Sequence, residues 1–252
     1  MKSSRMLVVV CLFLLVQRTR CPAGGLFGWG WIAKGIASIS KVSMEGEYGG
    51  ECSDNHCSDC ERVRSIGKRV AKPENPAKAK EKFILLNTGD VNAFSIGGGH
   101  VYATRGLLQQ RGISDDEIAF VLGHELGHDR DYHVAKGLVA ALGISKVIDL
   151  VAGDSSETAE IAGGVVALLT VRGYSRDHER QADRKGVELL CRSGYNPMGA
   201  LAFFRRLEAD EKGGRCDSLC KLLSTHPPTA DRAQAVKAYI ANLNENCRIS
   251  GQ

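Results

Sequence analysis

The sequence predicts a mainly α-helical protein with a small β-sheet, an α+β arrangement, and three observations carry that reading. Apolar residues recur at helical spacing in several capped segments. Only short runs have β character. Across 252 residues, 43% hydrophobic content is enough for a sizeable core.

Along the chain, MKSSRMLVVVCLFLLVQRTRCPAGG places Lys2 and Arg5 before an apolar run from Met6 to Val16 and small residues near Ala23, so residues 1–23 read as a secretory signal. The run is far shorter than the roughly 20 residues that span a bilayer. A buried N-terminal helix and a lipoprotein acylated at Cys21 are the alternatives, the second opposed by Arg18-Thr19-Arg20. Residues 24–60 form a glycine- and cysteine-bearing arm, whose stretch from Gly24 to about Tyr48 reads equally as a short docking helix or a mobile arm, and residues 61–247 form the main domain.

In that domain ERVRSIGKRVAK is a polar-faced helix with Val63, Ile66 and Val70 inward, ending before Pro73. KFILLN and GHVYAT are strands, separated by the turn-rich NTGDVNAFSIGG. Ser114 and Glu117 make a capping box, so a helix begins at Asp115 and continues through VLGHELGHDRDYH. GLVAALGISKVIDLVAG and IAGGVVALLTV are core helices, the first interrupted by Lys146 and Asp149 and the second too short to span a membrane. Further helices are expected from Asp177 to Arg192, from Pro197 to about Lys212 and from Thr229 to Asn244.

The formal charge of +4 lies in Lys2, Arg5, Arg18 and Arg20, and removing the signal leaves a net charge near zero. With no basic block interleaved with aromatics, nucleic acid is not an expected partner. Seven of the nine cysteines lie beyond the signal: Cys52, Cys57 and Cys60 before the main domain, and Cys191, Cys216, Cys220 and Cys247 toward its end. In an exported chain these favour disulfides, with pairing open and one thiol left over. CSDNHCSDC with His56 is the competing zinc reading, but it lacks a second CxxC half.

The chemistry is concentrated in His124-Glu125-Leu126-Gly127-His128. On a helix the i,i+4 spacing sets both imidazoles on one face, where they can grip one Zn2+. Glu125 then stands beside the metal as a base for the attacking water, the division of labour that amide hydrolysis needs. Two imidazoles do not complete a catalytic site, so a third protein ligand is required. His133 is about 180° from His124 around an unbroken helix and is expected at the surface or helix end. Asp131 stands where a turning glycine would be needed to bring a later histidine back.

YSRDHERQADRKG supplies a better candidate. Glu179 and Asp183 are four apart on an expected helix, so Glu179 can ligate the metal while Asp183 accepts a hydrogen bond from a ligand histidine. Taken alone the pair reads as a solvated charged face; an upstream HExxH reverses the balance. His178 is the local competitor, turned about 100° from Glu179.

Four segments in this order resemble the M48 family of zinc metallopeptidases: NAFSIGGGHVYATRGLL, the helix with HELGH, SRDHERQAD and STHPPTADR. The resemblance implies a zincin-like metallopeptidase fold, one zinc held by His124, His128 and Glu179, Glu125 as catalytic base and Asp183 behind the ligands. It implies that Asn92 to Tyr102, with Asn92, Ala93 and Phe94, forms an edge strand on which a substrate peptide lies extended. For His226 and Arg232 it implies gating of the zinc or steadying of the oxyanion, against a plain loop-to-helix turn fixed by Pro227 and Pro228. Gly97 and His100 depart from the commoner pattern, in which proline and an aromatic residue are frequent.

The expected function is therefore a zinc-dependent endopeptidase acting on unfolded or extended polypeptides, with envelope protein quality control implied by the resemblance. The expected location is periplasmic or extracellular, with membrane association as an option and no transmembrane span beyond the signal. Two rivals stand beside it. One is a latent chaperone-like binding protein that keeps the zinc site, with His226 on the open coordination position. The other is a peptide deformylase, with Cys52 or Cys60 as third ligand.

Overall fold

The computed structural model describes residues 28–47, 50–51, 57–72, 81–152, 173–212, 220–227 and 230–243. The signal, the Cys52 to His56 segment and the apolar stretch near residues 161–171 lie outside them. Ten helices and three strands are described in chain order: α1 (Trp29–Glu47), α2 (Ser58–Ala71), β1 (Lys82–Leu86), β2 (Ala93–Gly97), β3 (His100–Thr104), α3 (Arg105–Leu108), α4 (Asp115–Arg130), α5 (His133–Leu142), α6 (Ile144–Ala152), α7 (Arg176–Arg192), α8 (Met198–Lys212), α9 (Cys220–Thr225) and α10 (Ala230–Ala241). Helix predominates over one small sheet, as the periodicity requires.

Helix α4 starts where its cap dictates. Ser114 Oγ accepts the Glu117 backbone N–H at 3.2 Å, while Glu117 Oε2 accepts the Ser114 N–H at 2.9 Å. Arg206 of α8 adds a 2.9 Å ion pair to Glu117 Oε1. The helix is buried almost throughout because other elements cover it on several sides. Val63, Ile66 and Val70 of α2, Val187 and Leu190 of α7, and Phe203, Phe204 and Leu207 of α8 share one core with its Ile118, Leu122 and Leu126. Burial of such side chains is worth roughly 1.5–3 kcal/mol each, so the helix that carries the histidines is also the one most firmly held.

The sheet has the order β1-β3-β2, with β1 parallel and β2 antiparallel to β3, so β2 lies on an edge. Alternation along β1 sends Phe83 and Leu85 into the main core, while Ile84 and Leu86 join Ile96 and Tyr102 against Ala37 of α1. A second apolar cluster joins Ile32, Ala33 and Ile36 of α1 to Val134, Ala135 and Leu138 of α5 and to Val147 and Leu150 of α6. The glycine-rich stretch thus becomes a helix packed onto the sheet and two following helices.

Two expectations are corrected. The segment read as turns between the first two β runs contains a strand, β2; the stretch implied as one edge strand is β2 on the edge followed by β3 in the centre. Gly97, Gly98 and Gly99 at their junction have φ of +87°, +64° and +87°. Proline, fixed near −65°, has no access to the first of these, so the departure at Gly97 has a conformational reason. The second correction concerns His133, expected at the surface or a helix end: it stands at a helix end, but fully buried. Helix α4 does not run on: it ends at Arg130, Tyr132 adopts a left-handed φ of 56°, and His133 opens α5.

Candidate metal centre

The site is assembled from α4, α7 and the loop before α10. His124, Glu125 and His128 lie on α4, one turn apart or adjacent, while Glu179 and Asp183 lie one turn apart on α7. Small residues let these helices approach closely. A Cβ built on Gly127 would stand 3.1 Å from Ala182 Cα, leaving little room for a larger residue. Ser175 starts α7 by accepting the His178 N–H at 3.2 Å, which sets Glu179 in the first turn.

Ligand-type atoms of His124, His128, Glu179 and His226 all lie within 4.8 Å of one another, and all four residues are buried. His128 Nε2 is 3.1 Å from His124 Nε2 and 3.3 Å from Glu179 Oε1. His226 Nδ1 is 2.9 Å from Glu179 Oε1 and 3.3 Å from His124 Nε2. Three imidazole nitrogens and a carboxylate oxygen turned toward one point are a set of lone-pair donors that a single cation can accept together. This donor set, two imidazoles and a carboxylate with a further imidazole, fits a divalent metal such as zinc.

Behind the cluster, Asp183 Oδ1 lies 3.0 Å from His124 Nδ1, on the side of the ring away from the other ligand atoms. Arg232 grips the same carboxylate by a fork, Nε to Oδ2 at 2.8 Å and Nη2 to Oδ1 at 2.7 Å. Its Nη1 donates to Pro227 O at 2.9 Å and lies 2.7 Å from Glu179 Oε2. Arg232 therefore ties the His226 loop to both Glu179 and Asp183 of α7. The turn at Pro227 and this guanidinium are parts of one arrangement.

Electrostatics follow from that crowding. Burial alone would raise the pKa of Glu179, but His226 and the hydrogen bonds from His128 and His226 outweigh it and hold the carboxyl far below the usual range. Burial likewise works against the charge of Asp183, and the Arg232 and His124 contacts overcome it and lower its pKa. Burial pushes the pKa of Glu125 up, against the pull of His226 and His124. The Oε2 of Glu125 is buried without a hydrogen-bond partner, an acceptor with unused capacity beside the cluster. His226 is pushed up to about 9 in the metal-free chain, because Glu179 and Glu125 together overcome its desolvation.

Around these groups, an apolar pocket lined by Phe120, Val121, Phe203, Phe204, Leu207 and Leu222 opens onto His124, Glu125 and His226. On the opposite side, Asp129 accepts the Gly99 N–H at 2.9 Å and lies 3.4 Å from Ser95 Oγ, pinning the β2–β3 hairpin to α4. Asn92 Oδ1 accepts the Ala93 N–H at 3.0 Å, and the Phe94 ring stacks on Tyr102 at 5.2 Å. Cys60, one candidate ligand of the deformylase reading, packs in the main core and is no member of the cluster.

Sequence reasoning brought together His124, Glu125, His128, Glu179, Asp183, His226 and Arg232, which are neighbours here. It missed three residues. His133 Nδ1 is 3.0 Å from His128 Nδ1, Tyr174 stacks on His128 at 3.8 Å, and Asp129 holds the hairpin. Asp129 follows the HExxH directly, and Tyr174 stands in the same run as Glu179; that proximity was the available signal. For His133 the signal was misleading, since it assumed an unbroken helix.

Comparison with known proteins places this site in context. A model of peptidase family M48 matches residues 58–240, well over half of the chain. The metalloprotease YcaL of Escherichia coli (strain K12) is 29% identical over 214 residues, covering 83% of this chain and 80% of that protein. The metalloprotease LoiP of the same strain is 26% identical over 237 residues, covering 82% and 86%. A putative beta-barrel assembly-enhancing protease of Vibrio cholerae serotype O1 is 29% identical over 185 residues, 68% of this chain, although the match spans only 37% of that longer protein.

Proposed function

From the premise that this chain belongs to peptidase family M48 and is a metalloendopeptidase, we propose that it is a zinc enzyme which cleaves unfolded or extended polypeptides after export from the cytoplasm. The observation that carries the reading is the convergence of His124, His128 and Glu179 beside a buried Glu125 with an unpartnered carboxylate oxygen. In this reading those three residues hold the zinc, and Asp183 orients His124 through its Nδ1. The bound zinc supplies Lewis-acid polarisation of the scissile carbonyl and makes water more acidic. Glu125 takes a proton from the attacking water and passes it to the leaving amine.

Substrate is proposed to lie extended along the outer edge of β2, with Asn92, Ala93 and Phe94 supplying the edge, because β2 ends the sheet next to α4. The Phe120, Phe203 and Phe204 pocket beside Glu125, with about 20 Å³ free in this form, would have to widen to receive an apolar side chain next to the scissile bond. Export rests on the N-terminal signal-like sequence. A role in envelope protein quality control is supported by that sequence and by the likeness to the Vibrio protein, a putative beta-barrel assembly-enhancing protease. No helix among the described residues is long and apolar enough to cross a membrane.

A second reading has its own observation. His226 Nε2 lies 3.3 Å from Glu125 Oε1 while its Nδ1 faces Glu179, so the ring fills the space between base and ligands. The site in this form is latent, and His226 gates it. One experiment separates an active enzyme from a metal-retaining binding protein: zinc content and hydrolysis of an unfolded protein, with and without chelator, for the parent and for Glu125→Gln. The enzyme reading expects the parent to cleave, chelator to stop it, and the variant to keep zinc while losing at least about 100-fold in turnover. Zinc binding by a parent that cleaves nothing, even when His226→Ala accompanies it, leaves only the binding protein.

A further inference from the structure

We propose that His133 is a positioning residue for the second metal-facing histidine: its Nδ1 accepts the Nδ1 proton of His128 and thereby fixes the tautomer and ring plane of His128. The inference rests on the metal reading given above, and concerns a residue that lies outside the ligand set.

His133 Nδ1 is 3.0 Å from His128 Nδ1, and His133 Nε2 is 3.2 Å from Gln181 Oε1. A ring that offers the Nε2 lone pair to a metal must carry its proton on Nδ1. The His128 proton then points at His133 Nδ1, which has to be the acceptor. With Nδ1 accepting, the His133 proton sits on Nε2 and is donated to the Gln181 carbonyl oxygen. One proton arrangement satisfies all three side chains, and it is the one that leaves His128 Nε2 bare toward Glu179 and His124.

The backbone is bent to make this contact. Tyr132, in the left-handed region at φ 56°, is the one described non-glycine residue with positive φ, and it turns the chain so that His133 points back at α4. Such a conformation is strained for a residue with a Cβ, and the buried contact offsets that strain. Flat partners hold the rings in place: His178 stacks on His133 at 4.1 Å and 12°, and Tyr174 on His128 at 3.8 Å and 23°. Gln181 belongs to α7, so the relay also ties α5 to the helix that bears Glu179.

The two α4 histidines thus have unlike supports. His124 faces the carboxylate of Asp183, already neutralised by the Arg232 fork, whereas His128 faces a neutral ring. A carboxylate at position 133 would add a second buried charge behind the ligands, which low-polarity surroundings penalise. A neutral acceptor orients His128 without that cost.

The test compares a ring without nitrogen to a smaller side chain that keeps an acceptor near the Nδ1 position. Zinc affinity is measured by chelator competition on metal-free full-length parent, His133→Phe and His133→Asn, with far-UV circular dichroism and metal-free Tm recorded for each. The expected result is a 10- to 100-fold weaker zinc site in His133→Phe, about the loss typical of an outer partner of a ligand, and recovery to within about threefold in His133→Asn. Equal affinity of His133→Phe and parent overturns the proposal; so does an equal loss in both variants, which would assign the effect to packing. If His133→Phe does not fold, the 15N-labelled zinc-loaded parent decides. A slowly exchanging imidazole proton on His128 Nδ1, with scalar coupling across the hydrogen bond to His133 Nδ1, is expected; its absence overturns the proposal. A parent that binds no zinc fails the metal reading itself, before the variants are compared.

Discussion

Gly123 of α4 and Gly186 of α7 meet where the two helices cross: a Cβ on Gly123 would stand 3.3 Å from Gly186 Cα, and one on Gly186 3.2 Å from the His124 backbone nitrogen. Both obstacles are backbone, which does not swing aside as a flexible side chain would. Close approach at this crossing is what brings Glu179 within 3.3 Å of His128 Nε2. Gly186→Val should therefore push the helices apart, lower stability by about 1–3 kcal/mol and weaken zinc binding beyond what the stability loss explains. Chemical denaturation and chelator competition on the same preparation check this; unchanged affinity would show that the site tolerates a wider crossing.

Glu179 and Asp183 should differ in severity. Glu179→Ala removes the carboxylate proposed to hold the metal, and zinc affinity should fall by at least about 100-fold. Asp183→Asn keeps an oxygen for His124 Nδ1 but loses half of the Arg232 fork, and a loss of roughly 10- to 100-fold is expected. Zinc titration of both variants at matched folding gives the order, and a larger effect of Asp183→Asn would reverse the assignment.

His226→Ala should raise turnover of an unstructured peptide several-fold. The ring stands 3.3 Å from Glu125 Oε1 and 2.9 Å from Glu179 Oε1, in the space an attacking water and a carbonyl oxygen need. Initial rates over a range of peptide concentrations provide the measurement. A drop in kcat at unchanged zinc content would instead give this histidine a part in stabilising the transition state.

The Glu117–Arg206 pair makes a prediction about acid stability. Burial opposes its charge, yet Arg206 and the Ser114 hydrogen bonds win, so the folded pKa of Glu117 lies below the ordinary 4.5. A depressed carboxyl pKa contributes stability that is present above the unfolded value and lost as pH falls through the folded one. Glu117→Gln keeps the shape of the capping box and removes the charge. It should cost about 1 kcal/mol near pH 7, and the difference from the parent should shrink below pH 4.5 and vanish at lower pH. Urea denaturation of both proteins across that range is the check, and a difference independent of pH would exclude the charge as its cause.

Much of the site was legible because its parts are local patterns. His124 and His128 share a face by the helical repeat, Glu179 and Asp183 do so by the same rule, and Ser114 with Glu117 announces where the first helix begins. Strand β2 was harder to see because glycine and asparagine on either side mimic a loop; it forms only when β3 pairs with its backbone and the Asp129 carboxylate holds the turn that follows at Gly99. Helix α1 was undecidable for a similar reason, since its glycines and small residues become favourable only against the sheet and against α5 and α6.

The sequence by itself determined the donor types, their pairing along two helices and the fold class, because spacing along a regular helix converts directly into position on a face. Tertiary structure alone decided how the two pairs meet, that His226 closes over Glu125, and that Arg232 meets both Glu179 and Asp183. It also decided the fate of His133. Distance along the sequence carries a side chain to a definite face only while the helix continues, and one residue with φ of 56° ended that continuity and turned a ring expected at the surface into the neighbour of His128.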